Sequence, residues 1–335
     1  MINNVFFPES WAAERAVCCI PRPLEWGTPP TGCITPACLH NILTDGFYAP
    51  YAANPLYLLL IDCRDSQDYE KKRLMTAKWY GELSSGPQPE NCITIVLYDD
   101  RPRTSSPPRN SYYPEHDDSL TQIYHEFKRR RLDPLIVAGG WPALEATCSN
   151  LMQFGYEVDH VAKPEIPWFP ALIMPNFLYC GHAEMSSNTK ILSVLQITHV
   201  ISVSEDIPAR VLPTMNYLVV PLPENDPVED AEIGNLDINF GTDLASSLPT
   251  ILAFVSEART YGGSVLVTCD QGLTRAATVV MALLMTEYCC TLEDAFYYVK
   301  SARSAVHPHP GLLHQLANYE KTLFGTQLTL VEDLF

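Results

Sequence analysis

The chain has 335 residues and carries 22 lysines and arginines against 39 aspartates and glutamates, a formal charge of −17 at neutral pH. A surface this acidic repels nucleic acid and anionic lipid, since both are held by cationic side chains that displace counterions, so neither is an expected partner. The length exceeds the roughly 250 to 300 residues at which one hydrophobic core stops growing, and two domains are expected.

Residues 1–32 carry scattered aromatics and prolines without periodicity and read as a poorly ordered extension. Arg15 and Arg22 alternate with Glu9, Glu14 and Glu25, a mixture that gives no support to mitochondrial import. No apolar run reaches the roughly 20 residues of a membrane span, and none of the shorter ones is flanked like a signal peptide. The eleven cysteines include the pairs Cys18-Cys19 and Cys289-Cys290 but no CxxC and no zinc-ligand spacing. Reduced thiols, a cytoplasmic location, and no metal or cofactor are the expectation.

From Cys33, ITPACLHNILTDG fits a short helix ended by Gly46, and PLYLLLIDCR and CITIVLYDD are continuous apolar runs of buried-strand length. Residues 101–118, RPRTSSPPRNSYYPEHDD, are rich in proline, serine and charge and read as a mobile loop. Ser119 is expected to cap a helix in SLTQIYHEFKRRR, with Leu120, Ile123, Tyr124 and Phe127 on one face, before a third strand in DPLIVAGG. Strand, helix and strand in this order imply a parallel sheet with flanking helices. Cys63 in the first of these strands reads as a small core residue.

The runs LLLIDCRDSQDYEKKRL, IVLYDD and LIVAGGWPAL make residues 33–160 resemble the rhodanese-like domain at the N-terminus of MAP kinase phosphatases. In active rhodaneses a nucleophilic cysteine ends the strand matching IVLYDD. Asp99 stands there in this chain, so the resemblance implies no sulfur transfer. It also places Lys71, Lys72 and Arg73 near the basic stretch that docks kinases, whereas three cations on an exposed helix face are common without any partner.

The proline-rich residues 161–175 mark a linker, and residues 176–324 form the second domain, followed by a tail at 325–335. Strand-like HVISVS, YLVVPL and GGSVLVT appear here, and Cys180 again reads as a core residue. The last strand runs straight into a tight loop of Cys269, Asp270, Gln271, Gly272, Leu273, Thr274 and Arg275, followed by a helix. Amides of a loop that ends at a helix N-terminus form an anion nest, and glycine permits the positive φ that tight curvature demands. Arginine at the loop's end grips two phosphate oxygens, and a cysteine at its start sits where a thiolate can attack phosphorus.

The loop, the stretch FLYCGHAEMSSNTKILSVLQITHVISVSED and the segment HPHPGLLHQLANYEKTL after Arg303 resemble the dual-specificity phosphatases. Together with the first domain and the ending GTQLTLVEDLF, the chain is similar to the serine/threonine/tyrosine-interacting-like pseudophosphatases. The fold implied is α/β in two domains, a rhodanese-like parallel sheet and a dual-specificity-phosphatase-like sheet, each with flanking helices. Active members have histidine before the cysteine and a hydroxyl residue after the arginine. Here Thr268 leaves the thiol poorly activated and Ala276 offers nothing to the departing thiolate, each loss costing about ten- to a thousandfold in turnover. The resemblance places a general acid in the loop after YLVVPL, with Asp226 first choice and Glu224, Asp230 and Asp237 as alternatives. His307 and His309 are expected to be structural.

Three functions stay open. One is a signalling regulator that binds phosphoproteins without appreciable catalysis. Another is a slow phosphatase with Cys269 as nucleophile, which the retained cysteine keeps in play because pseudophosphatases of that type are expected to lack it. The last is a scaffold whose loop is vestigial.

Overall fold

The computed structural model describes residues 32–44, 49–52, 54–85, 89–103, 118–155, 168–204, 215–222 and 244–334. The extension before Gly32, most of the loop at 101–118 and the acid loop with Glu224, Asp226, Asp230 and Asp237 lie outside them. The chain divides into two compact units between Trp168 and Phe169. Among the described residues no helix is long and apolar enough to cross a membrane.

The first unit runs β1 (Cys33–Ile34), α1 (Pro36–Thr44), α2 (Ala49–Ala52), β2 (Leu58–Asp62), α3 (Ser66–Lys71), β3 (Lys72–Leu74), β4 (Lys78–Trp79), β5 (Thr94–Tyr98), α4 (Ser119–Arg129), β6 (Leu135–Val137), α5 (Gly140–Thr147) and β7 (Met152–Phe154). Five strands lie in the order β1-β6-β5-β2-β4 with every pairing parallel. Central strands β2 and β5 are buried at every residue, which is why both read as unbroken apolar runs rather than alternating ones. Leu120, Tyr124 and Phe127 of α4 pack on Leu59, Ile61, Ile95 and Leu97 of the sheet.

Two expectations need correction here. The N-cap of α4 is Asp118, not Ser119: Asp118 holds extended backbone and its carboxylate accepts the Thr121 N–H at 2.9 Å. A carboxylate serves the same orphan amide as a serine hydroxyl and adds negative charge at the positive helix end. Nor do Lys71, Lys72 and Arg73 share an exposed helix face. The helix ends at Lys71, and Lys72 and Arg73 enter β3, which pairs antiparallel with β7. Lys72 bridges Glu145 at 2.7 Å, and Arg73 is buried over the Tyr69 ring with Nη1 donating to the Tyr69 carbonyl.

The second unit contains β8 (Ala171–Met174), β9 (Leu178–His182), α6 (Thr189–Val194), β10 (Ile197–Val203), β11 (Asn216–Val220), α7 (Leu244–Thr260), β12 (Ser264–Cys269), α8 (Arg275–Tyr288), α9 (Leu292–Ala302) and α10 (Pro310–Phe324). Its sheet is ordered β11-β10-β12-β9-β8, parallel except for the edge pairing of β8 with β9. The fold is thus α/β in both units.

Part of the expected linker is structural, since residues 171–174 are the edge strand β8. Pro170 and Pro175 bracket that strand rather than interrupt it, and an edge strand is where prolines are tolerated. The expected tail is also folded. Gly325 closes α10 at φ +77°, and the chain returns so that the Glu320 carboxylate, fully buried, accepts the N–H groups of Leu328 and Thr329 at 2.7 and 2.8 Å. It also accepts the Thr329 hydroxyl and the Leu292 N–H at the start of α9, both at 2.8 Å. Val331 and Leu334 are buried beyond it.

Candidate functional site

Strand β12 is the middle of five, and its apolar run carries the chain through the core to Cys269, its last residue, which is 2% exposed. His182, at the end of β9, stands opposite Cys269 in the ladder. Burial holds the His182 imidazole below its usual range, with Glu184 opposing the shift and Arg303 adding to it. One residue earlier Thr268 is fully enclosed, and its hydroxyl donates to the Ile201 carbonyl of β10 at 3.5 Å.

The loop from Asp270 to Thr274 is held from outside by its carbonyls. Asp270 O accepts the Ala183 N–H at 3.5 Å and Leu273 O accepts the His307 N–H at 3.1 Å. Between them Arg303, just past α9, donates Nη2 to Gln271 O at 3.2 Å and Nη1 to Gly272 O at 3.1 Å. The described residues contain no cis peptide, and in a trans peptide the N–H points opposite to the C=O. With these four carbonyls engaged, the N–H groups of Gln271, Gly272, Leu273 and Thr274 each point away from the partner that holds the preceding carbonyl. The first amides of the 14-residue α8 follow directly and add their positive end.

Gly272 is required twice over. Its φ is +68°, and a Cβ there would lie 2.4 Å from the Gly181 carbonyl oxygen and 2.7 Å from Arg303 Nη1. Beneath it the Cys180 thiol, pushed up to about 12 chiefly by burial, stays protonated and points to the Gly272 carbonyl at 3.8 Å. Cys180 is therefore the core residue its sequence position implies.

Arg275 opens α8 with its guanidinium enclosed, and Ala276 behind it is fully buried. Its place at the loop's end suits a grip on two phosphate oxygens. Instead its Nη2 donates to the Asp270 carboxylate at 2.5 Å, while the Asp270 side chain remains 66% exposed. Asp270 thus belongs to the loop through its side chain as well as its amide.

The structure brings Thr268, Cys269, Asp270, Gln271, Gly272, Leu273, Thr274, Arg275 and Ala276 to one end of the second sheet. Asp99 belongs to the first unit, at the end of β5, where Arg103 grips its carboxylate through Nε and Nη2 and the Arg101 N–H donates to it. Arg303 was overlooked in the sequence as anything but a landmark. His309 caps α10 by accepting the Gly311 N–H, and His307 gives its main-chain N–H to the Leu273 carbonyl while its Nδ1 lies 2.7 Å from the Ala305 carbonyl oxygen.

The dual specificity phosphatase catalytic domain model matches residues 178–322. Dual specificity protein phosphatase 1 of Arabidopsis thaliana is 33% identical over 154 residues, covering 46% of this chain and 70% of that protein. The chain belongs to the dual-specificity phosphatase family. A probable rhodanese domain-containing dual specificity protein phosphatase of Dictyostelium discoideum is 30% identical over 155 residues, 46% of this chain and 30% of that protein. Dual specificity protein phosphatase 5 of Rattus norvegicus is 33% identical over 160 residues, and the chain spans 38% of its length. A crystal structure of a mouse putative dual specificity phosphatase complexed with zinc tungstate shares 32% identity over 50% of this chain and 96% of its own, with a TM-score of 0.42. The loop, its strand and helix, and Arg303 all lie within the matched residues.

Proposed function

We propose that this member of the family is a pseudophosphatase of the MK-STYX type, a regulator that binds phosphorylated protein segments in the loop at residues 269–275 with absent or weak catalysis. The observation that carries the reading is the holding of four successive carbonyls by Ala183, Arg303 and His307, which leaves the four following amides free of those contacts just ahead of a helix N-terminus. A phosphate needs only that nest and Arg275 in order to bind. Turnover needs more, and the supports are missing. Thr268 spends its hydroxyl on β10, and Ala276 has none. Retention of Cys269 at the strand's end favours a second reading, slow hydrolysis through a phosphocysteine.

The test is tungstate and phosphopeptide binding measured alongside aryl phosphate hydrolysis on one purified sample. Micromolar to millimolar binding with negligible turnover is expected, and Arg275→Ala should abolish the binding. No tungstate binding in the wild type and its loop variants, or equal binding in Arg275→Ala, overturns the phosphate-binding reading. Turnover at the rate of ordinary family phosphatases overturns the pseudophosphatase.

A further inference from the structure

We propose that Asp270 is an internal competitor for the phosphate, a specificity-determining residue that holds Arg275 when the loop is empty and must release it when an anion enters. The inference rests on the phosphate-binding reading above and adds what controls its strength. Three observations carry it. The Asp270 carboxylate sits 2.5 Å from Arg275 Nη2, so the guanidinium already has a carboxylate where a phosphate oxygen would bond. Arg275 is enclosed, with its side chain only 6% exposed, so the guanidinium has little room to swing away from this contact. The Asp270 side chain is by contrast 66% exposed and can rotate into water at small cost while the backbone stays clamped through Asp270 O, Gln271 O and Gly272 O.

An arriving dianion meets this negative charge at the rim of the nest whether or not the carboxylate has moved, and like charges at that distance repel. The loop therefore discriminates against ligands that offer nothing but phosphate. It favours segments that place a cationic side chain beside the phosphorylated residue, because that cation can take up the Asp270 carboxylate as Arg275 is surrendered. The ligand class is a phosphopeptide with a neighbouring lysine or arginine, rather than inorganic phosphate or an acidic phosphopeptide.

Isothermal titration with tungstate of the wild type, Asp270→Ala, Asp270→Asn and Asp270→Glu reads this directly. Asp270→Ala and Asp270→Asn should bind roughly tenfold tighter, the factor that about 1.4 kcal/mol gives, while Asp270→Glu stays near wild type. Titration with two phosphopeptides that differ by arginine or glutamate next to the phosphoresidue should show the wild type preferring arginine, and that preference should shrink in Asp270→Asn. Tungstate binding that is equal or weaker in Asp270→Ala and Asp270→Asn overturns the competitor while leaving a working phosphate site. Binding in Asp270→Ala but not in the wild type supports it. No binding in any variant overturns the phosphate-binding reading and this inference with it.

Discussion

Thr268 and Ala276 flank the loop on either side and are both fully enclosed, so what they lack cannot be supplied by solvent. Replacing the pair, Thr268→His with Ala276→Ser, should raise aryl phosphate hydrolysis at least about tenfold if each change returns a kilocalorie or so of transition-state stabilisation. The melting temperature must be followed in parallel, because a histidine has to be housed where a threonine now fills the space. Adding Cys269→Ser should remove the gain. A folded, anion-binding double variant that stays inactive places the fault elsewhere, in the proton donor. The loop's parts were legible in the sequence because they are contiguous and each residue type has one physical use. The Asp270 to Arg275 contact was not, since spacing alone cannot say whether a carboxylate five residues from an arginine turns toward it. Arg303 was hidden for a different reason: it acts on carbonyl oxygens, which leave no trace in the identity of the residues it holds.

Among the elements, continuous apolar runs gave β2, β5, β10 and β12 in their right places, since buried parallel strands need hydrophobic residues on both faces. The strand β8 was missed because its prolines dominate the composition, although they fall at its ends. The segment after α10 was missed because its anchor is one buried charge rather than an apolar pattern. Glu320 accepts three main-chain N–H groups and one hydroxyl, joining α9, α10 and the returning chain. Glu320→Ala leaves those donors buried without an acceptor and should destabilise the second unit by about 3 to 5 kcal/mol. Thermal unfolding should show that loss, and protease should then cut between Gly325 and Leu334. An unchanged melting temperature and an uncut segment would mean that the apolar contacts of Val331 and Leu334 suffice.

Across the whole molecule, the two units have separate cores and are expected to respond differently to acid. His40 in the first unit is fully buried, with Nδ1 bonded to Asn41 Oδ1 and Nε2 to Asn150 Nδ2, each at 3.2 Å. Burial lowers its pKa from 6.5 to about 4. A depressed histidine stays neutral in the folded state while the unfolded chain takes up a proton, so its stabilising contribution is present above 6.5 and is lost as pH falls toward 4. The loss amounts to as much as about 3 kcal/mol. His182 and His199 in the second unit shift the same way without so large a change. Calorimetry on the full chain should therefore show the first unit's transition falling more steeply on acidification, and His40→Gln should flatten that slope. Parallel slopes for the two transitions would contradict the assignment.

The clamp on the phosphate loop has a consequence for how such a protein can change over generations. Arg303 and the main chain of Ala183 and His307 grip carbonyl oxygens, which every amino acid carries. The curve of the loop therefore depends on Gly272 and on the Arg303 side chain, and the other side chains along it can change without loosening the grip on its backbone. Substitutions at Thr268 and Ala276 leave that grip untouched, since neither side chain takes part in it. The shape of such a loop is thus inherited separately from the chemistry of the side chains it carries.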